Sequence, residues 1–177
     1  MVFDNLIQIG DEKLKTKLIR VENFSDPELL SLVRDLKDTL YKHELVGVAS
    51  NQIGGRYLAF VTEVRKTKFR NPAKLDNFRV YINPELVSAS EDKEEVFEGC
   101  GSVAYSKLFA PVERPKVIKI KAIDMNGEEF ILEAEGLLSR VIQHEMDHLA
   151  NIEFIEKVTD WSRAMSSEEY RRNNQNN

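Results

Sequence analysis

Hydrophobic positions in the first quarter of the chain repeat at helical spacing. Leu29, Leu32, Val33, Leu36 and Leu40 recur every three or four residues, which places them on one stripe of an amphipathic helix. Its start is marked by Ser25-Asp26-Pro27-Glu28. Asp26 suits the N-cap and Pro27 the first helical position, while Ser25 and Glu28 offer a competing capping box. The helix should run to about His43, a solvated residue that the helix dipole favours at that end.

From about Arg56 to Ala134 the period shortens. β-branched and aromatic residues cluster over 57–64, 78–82 and 116–123, as strands require. Asn126-Gly127 predicts a hairpin between 116–125 and 128–134. Asn71-Pro72 marks 69–77 as a loop. Residues 136–150 return to a helical pattern, with Leu138, Val141, Ile142 and Leu149 on an apolar side. The expected architecture is α+β, with mixed, mostly antiparallel strands around this central helix and the amphipathic helix before them. One domain over 1–160 and a short polar tail over 161–177 are expected, and the end of that tail, from Arg171, has nothing to bury.

Composition narrows the setting. Twenty-five Lys and Arg against 30 Asp and Glu give a net charge of -5, which disfavours nonspecific attraction to DNA. A single cysteine, Cys100, cannot form an internal disulfide, so a reducing cytoplasm is the expected location, with a removed organellar leader left open. The opening Met1-Val2-Phe3-Asp4-Asn5-Leu6-Ile7 lacks a basic region followed by an apolar one, and no stretch approaches the ~18 apolar residues of a membrane span.

The chemistry lies in the second helix. Two of only three histidines occur in Gln143-His144-Glu145-Met146-Asp147-His148. Four helical positions put both imidazoles on one face, about 6 Å apart along the axis, a spacing that suits two ligands on one metal. Glu145 completes an H-E-x-x-H pattern, in which the carboxylate can exchange protons with water activated at the metal. A third donor is needed. A His six residues after His148 would define one peptidase class, but Phe154 stands there, and Asn151 where that pattern has Gly. Glu168 or Glu169 would define another, in a segment too short for a peptidase subdomain. Cys100 remains, between two glycines that permit close approach, and its thiolate is a strong donor for a soft or borderline metal.

With these motifs in order, the sequence resembles peptide deformylases from the first helix to about Lys157. The motif G-φ-G-φ-A-A-x-Q, with φ apolar, is matched by Leu45-Val46-Gly47-Val48-Ala49-Ser50-Asn51-Gln52, E-G-C-L-S by Glu98-Gly99-Cys100-Gly101-Ser102, and Q-H-E-x-D-H-L by residues 143–149. The resemblance implies removal of the formyl group from formyl-methionyl nascent peptides. One divalent ion would be held by Cys100, His144 and His148, with Fe2+ as the physiological metal and Zn2+ or Ni2+ as alternatives. Glu145 would take a proton from water and return it to the departing amine, while the Gln52 side chain and the Gly101 N–H donate to the oxyanion. Glu98 would pair with Arg114, and Asp147 would either orient an imidazole or cap a solvent-facing side. Val46, Gly47, Arg140 and Val141 would border the methionine pocket. Contact with the ribosome is a further expectation, with Arg163, Arg171 and Arg172 as the basic side chains near it.

Three departures stand near the expected peptide path. Gly101 replaces Leu, which loosens the backbone and removes an apolar wall, and Leu45 and Ser50 replace Gly and Ala. They leave open a site retuned to another N-acyl group. A protein that binds metal or peptide without catalysis also stays open, although Glu145 and Gln52 would then have no purpose.

Overall fold

In the computed structural model, which describes residues 6–67 and 70–174, helix α1 spans Pro27–Lys42. Asp26 accepts the Glu28 N–H, Pro27 occupies the first turn where no N–H is needed, and the His43 N–H closes the last turn on the Thr39 carbonyl. The stripe of Leu29, Leu32, Val33, Leu36 and Leu40 is buried. Met1 to Asn5, weighed above for export, as well as Phe69 and the end of the polar tail at 175–177, lie outside the described residues.

The strands are β1 (Gly47–Ala49), β2 (Ala59–Val64), β3 (Asp76–Ala89), β4 (Lys93–Glu98), β5 (Leu108–Pro115), β6 (Val117–Ile123), β7 (Glu129–Glu135) and β8 (Met165–Ser166). The further α-helices are α2 (Gly136–Leu149) and α3 (Ser167–Asn174), and short 3-10 turns, among them Ser50–Ile53, lie between elements. One antiparallel sheet has the order β1-β2-β3-β6-β7 and the other β4-β5-β8.

Register divides the core. Ala59 faces Ile82 and Val61 faces Val80, and these four pack with α1. Their neighbours Phe60 and Tyr81 point the other way. On that second face Phe60 and Tyr81 stack at 4.4 Å and meet Ile118, Ile120 and Ile142 of α2. The far side of α2 turns to the smaller sheet, where Cys100, Ala110, Val112 and Phe154 form a third apolar group and the His144 ring lies over Phe154. Helix α2 is therefore wedged between the sheets.

Several boundaries differ from the expected ones. β3 runs past Asn83-Pro84 by shifting register between Ile82 and Glu85, and it starts at Asp76, inside the expected loop. β4 is masked by its solvated charges, and in β5 Pro111 and Pro115 break the strand signal of the apolar stretch from Leu108 to Val112. The chain after residue 160 needs the largest correction. Met165 pairs with Phe109, and α3 follows with its Tyr170 ring stacked on Phe109 at 4.3 Å and 9°. One aromatic anchor in an otherwise polar helix leaves no periodicity to read. Tyr170→Ala should cost about 1–2 kcal/mol in chemical denaturation, the size of an aromatic pair with its buried area; an unchanged midpoint would show that the stack does not hold the segment.

Candidate metal centre

β4 ends at Glu98, and the chain turns through Gly99 into Cys100. A Cβ on Gly99 would stand 2.8 Å from Phe109 Cζ and 3.0 Å from the Leu108 carbonyl oxygen, so the close crossing of β5 demands glycine. Across from this turn, α2 presents His144 and His148 with ring centroids 5.0 Å apart. Cys100 Sγ lies 3.2 Å from His148 Nε2, and one donor atom from each of the three residues lies within 4.8 Å of the others.

A carboxylate stands at the Nδ1 of each ring. His144 Nδ1 hydrogen-bonds Glu98 Oε2 at 3.0 Å, and His148 Nδ1 lies at ion-pair distance, 3.4 Å, from Glu153 Oε2 without a well-aligned hydrogen bond. An acid at Nδ1 keeps the proton there and leaves Nε2 as the donor to an ion. Glu98 is itself gripped. Arg114 donates to both its oxygens at 2.6 and 2.9 Å, and Arg140 adds a third bond at 2.7 Å.

Burial opposes the charge on Glu98, yet Arg114 and His144 hold its carboxyl well below the usual range. Burial likewise opposes ionisation of Cys100, and the two imidazoles nevertheless bring the thiol down to about 6. Against its own burial, His144 is raised to about 10 by Cys100 and Glu98, and His148 also rises well above its ordinary value through Cys100 and Glu153. The result is a thiolate among imidazolium protons, which a divalent cation can displace. One thiolate and two imidazoles form a donor set suited to iron or zinc, so the residues fit such an ion.

Beside them stands a base. Glu145 is 3% exposed, burial pushes its carboxyl up to about 7 against the pull of His144 and His148, and its Oε2 has no hydrogen-bond partner among the described residues. A Cβ on Gly47 would overlap Glu145 Oε1 and stand 2.7 Å from Val141 Cγ1, so β1 must pass here without a side chain. Gln52 Oε1 accepts the Ala49 N–H at 2.8 Å, which turns Nε2 toward Ser102 Oγ at 3.1 Å and Cys100 Sγ at 3.5 Å. No hydrogen bond among the described residues uses the Gly101 N–H.

The family model described as polypeptide deformylase matches residues 3–164. The chain belongs to the peptide deformylase family. Metal-dependent deformylation is the activity of that family. The chain is 39% identical over 156 residues to peptide deformylase 1 of Clostridium perfringens, covering 88% of this chain and 98% of the relative. It is 37% identical over 150 residues to the peptide deformylase of Natranaerobius thermophilus, covering 85% and 88%. Among solved structures, the Met-Ala-Ser-bound enzyme of Acinetobacter baumannii superimposes with a TM-score of 0.82 at 27% identity, over 89% of this chain and 99% of that one. The Synechococcus elongatus enzyme in complex with actinonin gives 0.78 at 32% identity, over 89% and 82%.

Within this deformylase fold, two expected positions join the charges around Glu98. The Arg140 guanidinium is folded onto Glu98 and the Val112 and Glu94 carbonyls, so its charged end serves the buried acid. Asp147 neither touches an imidazole nor caps an exposed side. It accepts from Arg114 at 2.7 Å and pairs with Lys157 at 3.1 Å, steadying the arginine that holds Glu98. Val141 and Glu145 both lie against Gly47, and the Val46 carbonyl accepts the Glu63 N–H as β1 begins.

Glu153 and Asn51 were not foreseen. α2 stops near Ala150, Asn151 adopts a left-handed φ of 61°, and the reversed chain returns Glu153 to His148. Asn or Gly best tolerates that conformation, and this turn is the only signal that pointed to Glu153. Asn51 donates to the Leu14 and His148 carbonyls at 2.9 and 2.7 Å, tying the end of α2 to the chain before Gln52.

Glu98→Ala should destabilise the protein by about 3–5 kcal/mol, because two guanidinium groups lose their buried counter-charge; a loss under ~1 kcal/mol in denaturant unfolding would contradict this. Gly47→Ala should displace Glu145 and abolish formate release while bound metal, measured by elemental analysis, stays near one per chain.

Proposed function

We propose that this chain hydrolyses the formamide of formyl-methionyl nascent peptides with one divalent ion held by Cys100, His144 and His148. Fe2+ is the ion we assign in the cell, with Zn2+ or Ni2+ as alternative occupants. The observation that carries the reading is the convergence of a thiolate and two imidazoles, each with a carboxylate near its Nδ1, beside Glu145, whose Oε2 is buried and unpartnered. The ion, when bound, supplies Lewis acidity toward the formyl oxygen and acidifies water. Glu145 accepts a proton from the attacking water and returns it to the amine as the C–N bond breaks, giving formate and a free N-terminus. Gln52 Nε2 and the Gly101 N–H donate to the oxygen as charge grows on it.

A relative bound to Met-Ala-Ser supports a peptide with N-terminal methionine at this site. We place that methionine's side chain against Val46, Gly47 and Val141. We place the reaction in the cytoplasm, where nascent chains leave the ribosome. The charges first considered for ribosome contact include Arg163 and Arg172, which are engaged by Glu95 and Glu169. No helix among the described residues is long and apolar enough to cross a membrane.

Freshly purified protein should release formate from a formyl-methionyl tripeptide, with an acetyl peptide as the control for a retuned site. The assay must be anaerobic, since ferrous iron beside a thiolate promotes oxidation of Cys100. Glu145→Gln should retain metal and lose about 10²–10⁴-fold in kcat/KM, the usual worth of a positioned base. Cys100→Ser should lose the metal as well. Turnover preserved in both variants would refute the roles given to them.

A further inference from the structure

Gly101 is backed by another part of the chain. A Cβ placed on it would overlap Cδ1 of Leu6 and stand 3.6 Å from Cδ1 of Leu45. The volume of a side chain at position 101 is therefore already filled, chiefly by Leu6, which is 5% exposed. The same short segment carries Gln8. Its Nε2 donates to the Gly101 carbonyl at 2.9 Å and to the Leu6 carbonyl at 3.0 Å, and its Oε1 accepts the Tyr105 N–H at 3.1 Å. On either side, the Ile7 N–H donates to the Gln52 carbonyl at 2.9 Å and the Ile9 N–H to the Ser102 carbonyl at 2.8 Å.

Residues 6–9 thus form a strap across both groups assigned to the oxyanion. A glycine has more accessible backbone conformations than any other residue, so an N–H that must point at one spot needs restraint from outside. We propose that Leu6 and Gln8 are positioning residues that hold the Gly101 N–H in its donating orientation, in place of a side chain on residue 101. The inference rests on the deformylase reading. Neither residue needs to touch the substrate. The Cys100 carbonyl, in the same peptide plane as the Gly101 N–H, accepts the Val103 and Ser106 N–H groups at 3.1 Å, so that plane is held within the turn. Leu6 blocks one side of the Gly101 Cα and Gln8 fixes the following plane, so the strap holds the turn as a whole against Gln52.

A mutant cycle tests the strap. Gln8→Leu and Leu6→Ala should each lower kcat about tenfold, less than the ~10²–10³-fold lost when an oxyanion donor is removed, because the donor is loosened and still present. KM should stay within about twofold, since loosening a donor used in the transition state leaves ground-state binding intact. Gly101→Leu should also lower kcat and the melting temperature, because two leucines then compete for one space. Combining it with Leu6→Ala should recover most of both losses. Leu6→Val with Gly101→Ala repeats the cycle in smaller steps for any variant that does not fold. Additive losses in the double variant, or wild-type kcat in Gln8→Leu and Leu6→Ala, overturn the strap while leaving the deformylase reading intact. A wild-type protein that binds metal and releases no formate overturns that reading, and the strap with it.

Discussion

The centre depends on one buried negative charge. Glu98 stands at the end of β4 and receives Arg114 from β5 together with Arg140 and His144 from α2. It therefore joins the smaller sheet to the helix that carries the imidazoles, and the sulfur follows two residues later. The separation between Cys100 and the rings is set by this junction more than by any contact among the donors. Two arginines around one glutamate leave an excess of positive charge, which Asp147 and the carbonyls of Val112 and Glu94 absorb. Such a network adds little net stability, since desolvation offsets most of the attraction, but it is costly to break in part. Its consequence is geometric: alternative placements of α2 would leave a charge buried and unpaired.

The second ring is steadied by different means. His148 lies one turn further along α2, out of reach of Glu98, and its acid comes from the chain beyond the helix. Asn151 supplies the reversal with its left-handed backbone, and Asn51 donates to the His148 carbonyl. The two imidazoles thus have separate carboxylate neighbours, but they share one helix, so the Glu98 junction bears on the placement of both.

Local geometry explains how much of this was legible in the sequence. The i, i+4 pair of histidines needs only a helix to be meaningful, and the spacing of Leu29 to Leu40 needs only an apolar face. Cys100 was readable because scarce residues and flanking glycines narrowed the choice, and the resemblance supplied the pairing of Glu98 with Arg114. What stayed hidden depends on distant parts of the chain meeting. Arg140 occupies a helical position compatible with either a pocket or an ion pair, and only the buried acid decides. Glu153 depends on one residue in a left-handed turn. α3 depends on Tyr170 finding Phe109, and the apolar wall that seemed lost at Gly101 is rebuilt by Leu6 from the other end of the chain.

Close packing at glycine links these features. Gly47, Gly99 and Gly101 surround the centre, and in each case the space a Cβ would need is taken by a side chain from another element: Glu145 of α2, Phe109 of β5 and Leu6 of the N-terminal segment. Rigidity at the three glycines is consequently borrowed from neighbours, because glycine offers little of its own. Phe109 is in turn backed by Tyr170, so a polar C-terminal helix and an N-terminal strap both bear on the turn that presents Cys100 and Gly101. Such a turn can be tuned through residues that never meet the substrate, because interiors packed to this density transmit displacement across elements instead of absorbing it locally.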